Sequence, residues 1–96
     1  MNETELRADM FAKTRQMIES ARELFTFLLP HVTPFAQRGL AIADRFEENL
    51  ASHEHDTVPE LRRWATTEML TLRDQLTSAV NKAHEKVMEF EEMQGL

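Results

Sequence analysis

The sequence points to an all-α chain of three helices running up, down and up, with the third much the longest. Three observations carry that expectation. Apolar residues recur at steps of three, four and seven, the period of a helix, and β-branched residues do not fall in alternating runs. Alanine, leucine, methionine, glutamate and arginine are plentiful, and all favour helices. The three prolines stand at only two places, around residues 30–34 and at residue 59, so the chain has two natural breaks. All 96 residues read as one small helical domain.

The first helix is expected over about residues 4–29. Leu6, Met10, Met17, Ala21, Leu24 and Leu28 line one face, with Phe11, Ile18 and Phe25 beside them. A stripe that broad contacts two neighbours. Asn2 and Glu5 have capping-box spacing at its start. Pro30 stops it, because proline lacks an N–H and disfavours helical geometry in the residue before it.

The second helix is expected over about 34–52, with Thr33 as N-cap and Pro34 as first helical residue. Phe35, Ile42, Ala43, Phe46 and Leu50 form its apolar face. Gly39 lies inside it at a cost of about 1 kcal/mol against alanine. Close approach of another helix is the expected reason.

The third helix is expected over about 58–93. Asp56 or Thr57 caps it, and Thr57-Val58-Pro59-Glu60 matches the S/T-x-x-E capping box. Neither glycine nor proline follows until Gly95, the expected terminator.

At about 1.5 Å per residue the three segments span roughly 39, 28 and 54 Å. Short connections make consecutive helices antiparallel neighbours, so the third overshoots the first hairpin by about 25 Å. That overhang carries Val80, Ala83, Val87, Phe90 and Met93, an apolar stripe that invites association. A break near Ser78 or Asn81 would fold it back into a four-helix monomer, but no glycine or proline supports one there. The expectation is therefore an antiparallel homodimeric helical bundle. Its interface is Ala65, Met69, Leu72, Leu76, Val80, Ala83, Val87 and Phe90, symmetric about Leu76. Arg62 and Arg63 near the start of this helix and Glu89, Glu91 and Glu92 near its end oppose the helix dipole in isolation. They complement one another in an antiparallel pair.

The charge bounds the function. Seventeen carboxylates against eleven Lys and Arg leave a formal net charge of −6. That argues against nucleic acid and anionic membranes and favours a partner protein with a basic patch. There is no cysteine, so disulfide and thiolate chemistry are excluded. The opening MNETELRADM is acidic and polar, unlike a secretory leader, and no apolar run reaches the length of a membrane span. A cytoplasmic location is expected.

Candidate sites are few. His53-Glu54-His55-Asp56 offers His53 and His55 as weak metal ligands, but the spacing matches no zinc pattern. No glycine elbow positions a serine and no glycine-rich loop cradles a phosphate, so neither catalysis nor a cofactor is expected. Two surfaces fit protein binding. Phe27, Leu29, Val32 and Phe35 gather large apolar side chains at the first hairpin tip. Trp64 follows Arg62 and Arg63, and tryptophan with arginine is enriched at binding hot spots. The leading reading is a small acidic non-enzymatic regulator that occludes a surface of a partner, as an anti-activator, inhibitor or chaperone does. The alternatives are a structural self-assembling bundle or adaptor, and a metal-responsive sensor through His53 and His55.

Overall fold

A computed structural model describes residues 2–94 of the chain. They form four helices and no strand: α1 (Glu3–Leu28), α2 (Thr33–Ser52), α3 (Val58–Ala65) and α4 (Glu68–Gln94). The all-α expectation holds, while the third segment is two helices rather than one. The expected terminator Gly95 lies outside the described residues.

The caps are local chemistry. The Glu5 N–H donates to the Asn2 side chain at 2.9 Å, and the Asn2 N–H donates back to the Glu5 carboxylate at 3.4 Å. Thr57 and Glu60 repeat the arrangement at the start of α3, at 3.4 and 3.1 Å. Each box satisfies two backbone donors that the first turn would otherwise leave open. Asp56 does not cap; its carboxylate binds His53 instead. At α2 the expectation shifts by one residue. Thr33 is already helical, Val32 takes the N-cap position without a side-chain bond, and the Thr33 hydroxyl donates to the Leu29 carbonyl at 2.7 Å.

The interruption at Thr66–Thr67 has a chemical cause. The Thr66 hydroxyl donates to the carbonyls of Arg62 and Arg63 at 3.0 and 3.1 Å, and the Thr67 hydroxyl donates to that of Arg63 at 2.7 Å. Two adjacent β-branched residues thus bond back onto the preceding turn, a pattern that bends helices. The Thr67 N–H bonds to the Trp64 carbonyl, three residues back, which tightens the end of α3.

Helix α4 starts level with the end of α2, where the Asn49 amide donates to Glu68 at 3.0 Å. It reaches the hairpin tip at Phe90, whose ring lies 4.5 Å from that of His31. Helix α3 packs through Trp64 against Phe11 of α1 and Asn49 near the end of α2, so the third segment does not run on as one straight helix past the hairpin tip. The expected antiparallel pairing about Leu76 rests on a continuous third helix. Leu72, Leu76 and Ala83 are buried in the core of the chain itself, and Ala65, Met69, Val80, Val87 and Phe90 are half-buried. The molecule measures 54 × 25 × 17 Å.

The core runs through the three long helices, with Ile18, Phe25 and Leu28 from α1, Ala36, Ala43, Phe46 and Leu50 from α2, and Leu76 and Ala83 from α4. Each large side chain so buried contributes about 1.5–3 kcal/mol. Gly39 admits the Phe25 ring directly against the backbone of α2, the close approach expected of it. On the surface, Arg22 of α1 donates to Asp44 at 2.6 Å and to Glu47, tying α1 to α2. Those bonds, first from Glu47 and then from Asp44, hold its guanidinium pKa above the ordinary value.

Candidate functional site

Two regions collect the residues singled out above, one at each end of the bundle. At the lower end Trp64 is buried, with 3% of its surface exposed. Its ring is stacked on Phe11 at 6.3 Å and on His53 at 4.8 Å, nearly parallel to both. Its indole N–H donates to the Asn49 side-chain oxygen. A buried tryptophan with its polar group satisfied is a packing element. Trp64 thus joins α3 to α1 and α2 rather than standing on the surface with Arg62 and Arg63. Arg62 and Arg63 stay exposed, and among the described residues neither forms an ion pair. The periodicity of a helix explains the division, since Trp64 follows Leu61 on the buried side by three residues.

The histidine connector is part of the same cluster. His53 Nδ1 meets the Asp56 carboxylate, and its Nε2 lies 4.0 Å from Glu68. Glu54 pairs with Arg15 on α1, and His55 is exposed. Among the described residues no group of three or more His, Asp or Glu side chains is arranged to hold a metal ion. The separation of His55 from His53 follows from the turn between them, which points only His53 at Trp64.

The upper end is the hairpin tip. Leu29 and Val32 are half-buried, while Phe27 is 54% exposed. Phe35 is half-buried, edge-on to Phe25 at 6.0 Å, and carries the Lys86 ammonium 5.2 Å from its ring centre. The His31 ring sits between Phe27, at 6.1 Å, and Phe90. A concavity of about 390 Å³ opens here, lined among others by Leu28, His31, Val32, Lys86, Phe90 and Met93. Met93 is 75% exposed at its edge, Glu89 lines it, and Glu91 and Glu92 are exposed on the same turns of α4. The structure thus joins Phe27, His31 and Val32 of the expected hairpin tip to Phe90 and Met93 of α4, which the sequence assigned to the overhang. Only the stagger of α4 against α2 brings them together.

No protein-family model, curated protein or solved structure is significantly similar to the chain. Among the described residues no helix is long and apolar enough to cross a membrane.

Proposed function

We propose that the chain is a non-enzymatic protein-binding regulator that occludes a surface of its partner through the hairpin tip. One observation carries the reading. Phe27 and Met93 expose large apolar side chains beside a concavity that Glu89 lines, and Glu91 and Glu92 are exposed on the same last turns of α4. Exposed aromatic and methionine side chains supply affinity and adapt to a partner's shape. The carboxylates stand at the C-terminal, negative end of the α4 dipole, which disfavours them there, and their like charges repel one another. A basic partner relieves that repulsion and is steered to the tip by the acidic chain.

The self-assembling reading has less support. The side chains it would use at the centre of α4, Leu72, Leu76 and Ala83, are occupied in the core.

The test pairs capture with effect. The wild-type chain should retain one stoichiometric partner from its source extract. Added free chain should suppress that partner's assembly or DNA binding in proportion to the amount bound. Phe27→Ser combined with Met93→Ser should lose both while keeping its helicity. Retention and suppression unchanged in that variant would refute the role of the tip.

A further inference from the structure

The charges of the molecule are sorted between its faces. On α2, Asp44 and Glu47 lie toward α1, where Arg22 binds both. Arg38 and Arg45, seven residues apart, lie toward α4. Between α2 and α4 runs a groove in two joined stretches, of about 510 and 600 Å³, that share Gln75. Phe35, Ile42 and Ala79, all half-buried, form its apolar floor. Arg38 and Arg45 flank it on one side, and Lys82 flanks it on the other, with Lys86 above Phe35. Among the described residues none of these four cations is in an ion pair. Asp74 also lines the groove, as one carboxylate among the cations, and Glu68 stands at its lower end, already bonded by Asn49. In a chain with a net charge of −6, this face concentrates four of the eleven Lys and Arg residues.

We propose that the α2–α4 groove is a docking site for an acidic amphipathic helix of a partner protein. Two antiparallel helices with an apolar seam between them leave room for one more helix, which completes a four-helix bundle. From Phe35 to Asn49 the seam is roughly 21 Å long at the helical rise, the length of about 14 residues of a docked helix. Cations flanking such a seam select a partner with acidic flanks and reject one with basic flanks. The apolar floor distinguishes this site from one built for a polyanion alone. The groove meets the hairpin tip at Phe35 and Lys86 but is otherwise lined by different residues, so the proposal goes beyond the tip reading and stands without Phe27 and Met93.

The test uses two synthetic peptides of about 18 residues with the same leucine face, one flanked by glutamate and the other by lysine. Each is titrated into the isotopically labelled full chain and followed by amide chemical shifts. The glutamate peptide should move the resonances of Arg38, Ile42, Arg45, Gln75, Ala79 and Lys82 and leave those of Glu19 and Phe27 in place. It should bind at least about tenfold tighter than the lysine peptide and weaken with added salt. Arg38→Glu combined with Lys82→Glu changes only exposed side chains and should reverse the preference between the peptides. Equal binding of both peptides, or shifts centred elsewhere, would overturn the proposal. So would groove shifts that appear on concentrating the chain alone, which assign the groove to a second copy. Tighter binding of a duplex DNA oligonucleotide at the same residues would overturn it in favour of phosphate recognition.

Discussion

Replacing Gly39 with alanine sets two known effects against each other. Helix propensity favours the change by about 1 kcal/mol. Packing opposes it. A methyl carbon built on Gly39 would lie 2.6 Å from Cζ of Phe25 and closer still to Cδ1 and Cε1. Carbon atoms in contact prefer about 3.5–4.0 Å, so three ring atoms must yield by about an ångström. Phe25 has no free space to move into, being fully buried with Phe35 edge-on against it. Overpacking of this kind costs about 1–3 kcal/mol, and three simultaneous clashes place it in the upper part of that range. The net result is a loss of about 1–2 kcal/mol, or a fall in Tm of about 4–16 °C for a domain of this size. Urea denaturation followed by circular dichroism reads it as a lower midpoint at unchanged slope. The same substitution in a Phe25→Leu background should lose its penalty, giving a coupling of at least about 1 kcal/mol. A Gly39→Ala chain that is more stable than wild type would refute the packing of α1 on α2 described here.

Three further outcomes are expected. Leu76→Ala should cost about 2–5 kcal/mol, because Leu76 is only 1% exposed, and its Tm should not depend on protein concentration. A Tm rising with concentration would place Leu76 between two copies instead. Trp64→Phe keeps the stacking on Phe11 and His53 but leaves Asn49 without its indole donor, and should cost about 1–3 kcal/mol in thermal melts. An unchanged melt would show that the hydrogen bond contributes nothing. Arg22→Ala should cost about 0.5–1 kcal/mol at low salt and less at 1 M salt. Glu47 and Asp44 raise the folded pKa of Arg22 above the ordinary guanidinium value, so its share of stability is complete below that ordinary value and is lost only as the pH rises through the folded pKa. As far as Arg22 titration is concerned, the difference between wild type and variant should therefore be flat between pH 7 and 9; a slope there in melts would refute the assignment to Arg22.

Parts of this molecule are written locally in the chain. The capping boxes of Asn2 with Glu5 and Thr57 with Glu60 join residues three apart, so their spacing alone foretells them. The stop near Pro30 and the apolar face of α2 are local in the same sense, and so is the need for a close neighbour at Gly39. Even the Thr66–Thr67 interruption had a local sign, since two adjacent threonines can bond back onto the previous turn.

Other features depend on where the helices lie relative to one another. Period and composition place Trp64 beside an apolar line, but its burial comes from Phe11, Asn49 and His53, on two other elements. Likewise, a stripe through Leu72, Leu76 and Ala83 looks the same whether a second chain or the first hairpin covers it. The stagger of α4 against α2 gives that role to the hairpin and brings Phe90 to His31. The sorting of Arg38 and Arg45 from Asp44 and Glu47 takes on meaning only once α1 and α4 stand on opposite sides of α2. Helix formation responds to neighbours within one or two turns, whereas burial and surface charge are sums over segments far apart in the chain.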